Sequence, residues 1–219
     1  MNNLQKGLAI DTASSKGSIS LFDKDEFVDH ILLEDGEVSR SQDLVSEIRN
    51  LLKKNNIIPV DLEFVAYCRG PGGFTGIRIG AATSMGIAKS AGCVCIGITK
   101  FEALAKVSKP EKSAYILIDS GNKNISIGKY TELFEKEKGN YNDFETKRYT
   151  DLKIFDFEKI SDIITEKSPY LDDFIKKLKA NKKANVIVVT DITSNLIGLC
   201  AIDKLKENEN FDFSPVYSN

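Results

Sequence analysis

The stretch from Arg69 to Ala91, RGPGGFTGIRIGAATSMGIAKSA, constrains this chain more than any other part of it. Gly70, Gly72, Gly73, Gly76 and Gly80, with Pro71 among them, stand between an apolar strand-like run and a helix-like run. The backbone there must turn tightly and let another group come close. Thr75 reads as the N-cap of the helix, and small residues then recur at helical spacing: Gly76, Gly80, Thr83 or Ser84, Ala88 and Ala91. Glycine inside a helix costs ~1 kcal/mol relative to alanine, so a ridge of this kind implies close packing. What packs there is either the chain's own sheet or a neighbouring helix, or else a second chain. A phosphate cradle at the helix start is a third option. Against it, the block lacks the lysine and hydroxyl of a P-loop and does not follow the first strand, where a dinucleotide fingerprint belongs.

Around this block the chain alternates strands and helices. GLAIDT (7–12), SISLFD (18–23) and EFVDHILLED (26–35) read as three strands, followed by an amphipathic helix over 38–55 carrying Leu44, Val45, Ile48, Leu51 and Leu52. LEFVAYC (62–68) is a strand, 75–91 a helix, CVCIGIT (93–99) a strand and FEALAKV (101–107) a short helix. SKPEKS (108–113) reads as a linker. The second half opens on another strand ending in Asp, AYILIDS (114–120), which pairs with 124–134 through the GNKN turn. A hairpin or mobile loop is expected over 135–150, helix over 158–180 interrupted at Pro169, a strand over 185–191, a helix over 194–206 and an irregular packed tail. The fold class is thus α/β with mixed sheets flanked by helices, divided into domains 1–108 and 109–219. Two halves that each begin with a strand ending in Asp suggest a duplicated fold.

Composition narrows the function. A formal net charge of -2 argues against a chain that wraps nucleic acid unaided, while leaving room for a local basic patch. No run approaches the ~20 apolar residues of a membrane span, so a cytoplasmic protein without membrane attachment is expected. Cys68, Cys93, Cys95 and Cys200 fall mostly in apolar runs and are expected to be reduced and buried. The reading places Cys93 and Cys95 on opposite faces of one strand, a poor metal pair. With His30 the only histidine, a His-based metal site is disfavoured, and so are Ser-His-Asp and Cys-His nucleophiles; His30 reads as an ordinary strand residue.

Asp11 and Asp119 are the candidates for nucleotide binding, standing at the ends of the first strands of the two halves. Paired carboxylates so placed can hold a metal nucleotide, and each can equally be a turn-capping aspartate. Arg69 and Arg78 flank the glycine turn and suit a partner's carboxylate or a phosphate. The lysine run over 176–183 reads as a solvated helix face.

LAIDTASSKGSISLF, SQDLVSEIRNLL and VAYCRGPGGFTGIRIGAATSMGIAKSAGCVCIGITKFEALA together resemble the TsaB (YeaZ) proteins, of the actin-like fold shared with sugar kinases. The resemblance implies two actin-like (ribonuclease H-like) domains, the second smaller or degenerate. It implies a non-catalytic scaffold that pairs with a catalytic paralogue, TsaD. With the ATPase TsaE, that complex transfers a threonylcarbamoyl group from threonylcarbamoyl-AMP to the tRNA adenosine beside the anticodon. On this resemblance the chain needs no cofactor of its own, since ATP and metal belong to the partner subunits; tRNA is met through the complex, and the chain homodimerises when alone. The pairing surface falls on the helices at 38–55 and 75–91, with Leu44, Ile48, Gly76, Arg78, Gly80 and Met85 as interface candidates. A bulky residue at Gly80 is then expected to abolish pairing and leave the isolated chain folded. Where TsaB proteins usually carry His-Ser-Gln at the start of the first long helix, this chain has Arg40, Ser41 and Gln42. The alternative is a self-sufficient actin-like ATPase or small-molecule kinase using Asp11 and Asp119.

Overall fold

The computed structural model describes residues 6–33, 37–107, 113–131, 144–152, 162–166, 168, 170–180, 185–189 and 193–207, with backbone alone at 37–42, 113, 130, 131 and 166. β1 (Gly7–Asp11), β2 (Ser18–Asp23) and β3 (Glu26–Leu32) form an antiparallel meander. Between β2 and β3, Lys24 and Asp25 sit at φ 54 and 62, the left-handed pair of a two-residue hairpin turn that matches the twist of its strands. α1 (Glu37–Lys54) follows, then β4 (Phe64–Cys68), α2 (Phe74–Ala91), β5 (Val94–Ile98) and α3 (Lys100–Ala105). β4 joins β1 in parallel and β5 joins β4 in parallel, giving the order β3-β2-β1-β4-β5.

The second half repeats this plan. β6 (Ser113–Gly121) pairs antiparallel with β7 (Asn124–Thr131) through a turn in which Asn122 and Lys123 again have positive φ, 52 and 65. β8 (Glu145–Arg148) extends the meander; β9 (Asp162–Glu166) joins β6 in parallel and β10 (Asn185–Val189) joins β9 in parallel. α4 (Asp172–Ala180) and α5 (Thr193–Lys206) complete the described elements. The order β10-β9-β6-β7-β8 is the first sheet's order read from the other edge, so the duplication is one of topology. Both sheets are mixed and flanked by helices, an α/β fold.

Three expectations need correction. The helix expected over 158–180 is a strand, β9, followed after Leu171 by α4, because Ile163, Ile164 and Thr165 are β-branched and fully buried between a parallel strand on either side. α2 begins at Phe74 with Gly73 as its N-cap, in place of Thr75. Cys93 and Cys95, two residues apart, pack against one and the same cluster, because side chains alternate along a strand with period two. Of the linker expected over 108–113, residues 108–112 lie outside the described residues and Ser113 opens β6; residues 135–143 and the tail from 208 also lie outside them.

Three clusters hold the molecule together. One lies between the first sheet and helices α1 and α2, built from Leu8, Ile10, Ile19, Leu21, Leu44, Ile48, Leu51 and Val65 among others. A second lies under α4 on the second sheet, with Leu117, Ile163, Phe174 and Leu178. The third joins the two halves: Phe22, Phe64 and Ile96 of the first sheet meet Ile116 and Ile164 of the second through Phe101 of α3 and Ile197, Ala201 and Ile202 of α5.

α5 therefore crosses over. It follows β10 in sequence yet lies on β1, β2, β4 and β5, with Ser194 Oγ 2.7 Å from Ser20 Oγ and the Ser194 N–H donating to Ser18 Oγ at 3.2 Å. Gly198 is needed there, since a methyl on it would meet the Phe22 ring at 2.1 Å. α3 makes the reciprocal crossing onto β6 and β9, and packs on α5. Lys204 pairs with Glu102 at 2.6 Å, Lys106 pairs with Asp203, and the Cys200 thiol points at the Glu102 carbonyl. The expected 109–219 unit thus contributes its last helix to the first sheet's core. Among the described residues no helix is long and apolar enough to cross a membrane.

Candidate functional site

The glycine block is a joint between α2 and the turn that leaves β1. The Thr12 hydroxyl donates to the Gly76 carbonyl at 2.6 Å, and the Gly73 N–H donates to the Ala13 carbonyl at 2.9 Å. A methyl on Gly76 would stand 1.9 Å from Thr12 O, one on Gly72 2.5 Å from Ala13 O, and one on Gly80 2.5 Å from Thr12 Oγ1. Those three glycines admit the 12–13 backbone to the helix surface. The close neighbour implied by the small-residue ridge is thus inside the chain. Gly76 and Gly80 are taken up by an internal contact, and so are Leu44 and Ile48, which are 1% and 3% exposed in the cluster beneath α1.

The opposite side of α2 faces outward. Phe74, Thr75, Arg78, Ala82, Met85, Gly86 and Lys89 are exposed and recur at three- and four-residue steps, which puts them on one face. Phe74 is 52% and Met85 40% exposed, and α1, packed beside α2, adds Val45 at 51%. The Arg78 guanidinium lies 3.7 Å from the centroid of the Phe74 ring, an exposed cation–π contact of ~0.5–1 kcal/mol that holds both side chains against the helix. A methyl added to Gly86 would meet nothing within 4 Å. The face is low, partly apolar and carries Arg78 and Lys89, so it can receive a helix carrying acidic groups. Of the interface candidates, Arg78 and Met85 lie on this outer face; Phe74, Val45, Ala82 and Gly86 join them. On α2 their signal was the same 3.6-residue period, about half a turn away from the small residues that drew the first reading.

Asp11 is fully buried and its carboxylate is held by its own turn. Oδ1 accepts from the Ala13 N–H at 2.9 Å and the Ser14 N–H at 3.2 Å, and Oδ2 accepts from the Ser14 hydroxyl at 2.5 Å. That is the geometry of an aspartate capping a turn. Asp119, at the corresponding end of β6, accepts from the Gly121 N–H at 2.9 Å and from the Ser168 hydroxyl at 2.6 Å, tying the β6–β7 hairpin to the segment before α4. The two aspartates stand at equivalent places in the two sheets, Asp11 held within its own turn and Asp119 shared between its turn and Ser168.

Cys68 and Cys200 are buried as expected, whereas Cys93 and Cys95 are half-buried at the start of β5. Burial pushes Cys200 up to about 12; burial, and secondarily the neighbouring Cys93, pushes Cys95 up to about 11; burial also raises Cys93. His30 lies on β3 with its ring 5.8 Å from that of Phe27, an ordinary strand contact.

The chain's likeness to known proteins covers both halves. Residues 37–196 match the family model described as TsaD: tRNA N6-adenosine threonylcarbamoyltransferase. Over 139 residues the chain is 27% identical to the tRNA threonylcarbamoyladenosine biosynthesis protein TsaB of Escherichia coli (strain K12), covering 64% of this chain and 59% of that protein. Over 112 residues it is 31% identical to the TsaB of Buchnera aphidicola subsp. Schizaphis graminum, covering 51% of this chain and 52% of that one. These matches span less than two thirds of the relatives' own length. In three dimensions the chain resembles YeaZ from Pseudomonas aeruginosa, with a TM-score of 0.70 at 16% identity over 97% of this chain and 99% of that one. It also resembles an activator of 2-hydroxyisocaproyl-CoA dehydratase from Clostridium difficile, solved with bound ADPNP, with a TM-score of 0.56 at 9% identity over 94% and 99% of the two chains. At such identities the structural likeness speaks for the fold alone.

Proposed function

The chain belongs to the TsaD family, described as tRNA N6-adenosine threonylcarbamoyltransferase, among its TsaB (YeaZ) members, and from that premise we propose that it serves tRNA threonylcarbamoyladenosine synthesis as a non-catalytic scaffold. In this reading it pairs with a TsaD-like catalytic paralogue. It works with a TsaE-like ATPase, meets tRNA through the complex, resides in the cytoplasm and homodimerises when alone.

The observation that carries the reading is the two-sidedness of α2. Its inner face is closed by Thr12 and Ala13, and its outer face presents Phe74, Arg78, Ala82, Met85 and Gly86 with room for a second backbone to approach. No cofactor of its own is assigned to the chain. Both oxygens of Asp11 already accept from the turn that a nucleotide-binding actin-like protein would use for phosphate, which favours a structural role for that carboxylate. The nucleotide and metal are placed with the partner subunits.

Co-expression with the TsaD-like paralogue of the same organism tests this, read by size-exclusion chromatography with light scattering and by threonylcarbamoyl transfer to tRNA. A stable complex whose transfer needs both chains is expected, and Met85→Glu with Arg78→Glu is expected to dissolve it. Transfer by the paralogue alone at an undiminished rate would overturn the scaffold role.

A further inference from the structure

α3 and α5 join the two halves, and each is seated on the sheet of the other half. α5 lies on the first sheet, tied at its start by Ser194 to Ser18 and Ser20 and at its end by Lys206, whose ammonium is 3.3 Å from Asp25 Oδ2 in the β2–β3 turn. α3 lies on β6 and β9, and Phe101 rests on Gly128 of β7, where a methyl would meet the ring at 2.7 Å. The angle between the sheets is therefore set by how α3 meets α5.

Much of that meeting is apolar, with Phe101, Leu104, Ile197 and Ala201 in the shared cluster. Apolar burial is non-directional, so it holds two helices together and leaves them free to slide past one another. Directed contacts must fix their register. Glu102 makes such contacts on both sides: its Oε2 accepts from the Thr99 N–H at 2.6 Å and the Thr99 hydroxyl at 2.7 Å, which pins the junction where β5 becomes α3. Its Oε1 lies 2.6 Å from the Lys204 ammonium of α5. The Glu102 and Lys204 side chains are 9% and 20% exposed, so the pair is largely shielded from water. Lys106, one turn further along, pairs with Asp203, and the Cys200 thiol donates to the Glu102 carbonyl at 3.6 Å.

We propose that Glu102, through Thr99 on one side and Lys204 on the other, locks the two halves at one fixed angle, while the apolar joint around it supplies the stability. A shielded ion pair adds little stability over an apolar replacement of like size, so its effect falls on geometry. The halves then meet any partner as one rigid body, with the outer face of α2 at a constant angle to the second sheet.

Pulsed electron paramagnetic resonance on the full chain tests this. Spin labels are carried on ketone-bearing residues at positions 16 and 122, exposed sites in the β1–β2 and β6–β7 turns, so the native thiols are left alone. The wild type is expected to give one narrow distance distribution. Glu102→Gln with Lys204→Met removes both charges and strands neither partner; it is expected to broaden the distribution roughly twofold with little change in Tm. Lys54→Met, which breaks the exposed pair with Asp29, is the control and is expected to leave the width as it is. An unchanged distribution in the neutralised variant would overturn the proposal, as would a control that broadens equally. Loss of the folded state in the neutralised variant would overturn it too, since the pair would then carry the stability of the joint and not its geometry.

Discussion

The Thr12 hydroxyl donates to the Gly76 carbonyl across 2.6 Å, joining two residues that stand 64 positions apart. Through that bond the turn after β1 is seated in the glycine face of α2, and the outer face of the same helix is left free of the internal packing.

Substitution at this joint is expected to cost folding stability in the isolated chain. Gly76→Ala puts a methyl 1.9 Å from a backbone oxygen that no rotamer change can move, so the helix must shift. Overpacking of this kind costs ~1–3 kcal/mol, or roughly 2–10 °C in Tm for a chain of this size. Gly80→Leu is expected to destabilise likewise, with part of the loss recovered by Thr12→Ala, since there the obstacle is Thr12 Oγ1. This reverses the expectation that a bulky residue at Gly80 leaves the isolated chain folded; thermal unfolding of the four variants decides it.

Gly86 separates the two faces of α2 cleanly. Nothing lies within 4 Å of a methyl added there, so Gly86→Ala is expected to raise the stability of the isolated chain by ~0.5–1 kcal/mol through helix propensity alone. If a partner's backbone approaches this face closely, the same substitution weakens the complex. Denaturation midpoints and a titration with the paralogue measure the two effects independently, and unchanged affinity for Gly86→Leu would place the contact elsewhere.

Asp29 gives the chain a defined acid sensitivity. Hydrogen bonds from Lys54, at 2.8 Å, then from Asn55 and from the His30 N–H, hold its carboxyl down to about 2. With an unfolded value near ~3.9, the folded state binds the proton less readily, so this contribution is fully present above about pH 4 and is lost as pH falls toward 2. Lys54 is largely exposed, which keeps the contribution small. Urea midpoints of the wild type and of Asp29→Asn are expected to differ at pH 7 and to converge between pH 4 and pH 2.

Thiol chemistry should report folding in place of function. With Cys95 near 11 and Cys200 near 12, iodoacetamide at pH 8 is expected to modify these two slowly in the native protein and rapidly in guanidinium. Rapid native-state labelling of Cys200, read by mass spectrometry, would contradict its burial beneath α3.

Asp11 is expected to matter for stability and not for nucleotide affinity. Asp11→Ala strips the acceptor from two backbone N–H groups and a hydroxyl in a buried turn, at a cost of ~1–3 kcal/mol for the donors left unmet. Calorimetry with Mg-ATP at millimolar concentration should show no heat for the isolated wild-type chain. Saturable binding abolished by Asp11→Ala would instead make the chain a nucleotide-binding protein in its own right.

Much of this architecture is legible in the residues. Strand alternation in SISLFD, the Leu44–Ile48–Leu51 spacing of α1 and the Asp at the end of the first strand of each half give the elements and the duplication, because each is a local pattern. β9 was not legible as a strand: five residues, DIITE, bounded by charged positions fit a helical pattern until the neighbouring strands on both sides are known. The glycines announced a close approach correctly. That the approaching group is Thr12 and Ala13, and so which side of α2 remains open, depends on how β1 and α2 are seated in three dimensions, which spacing along one helix does not contain.

The crossing of α5 onto the first sheet sets an order of events on the ribosome. β1, β2 and β4 emerge early, yet Phe22, Phe64 and Ile96 must wait for Ile197 and Ala201 before their side of the sheet is closed. A nascent chain halted after α3 therefore displays an unburied apolar sheet face and is a substrate for holding chaperones. Only after residues 193–206 have cleared the exit tunnel can the earliest-made strands reach their final stability.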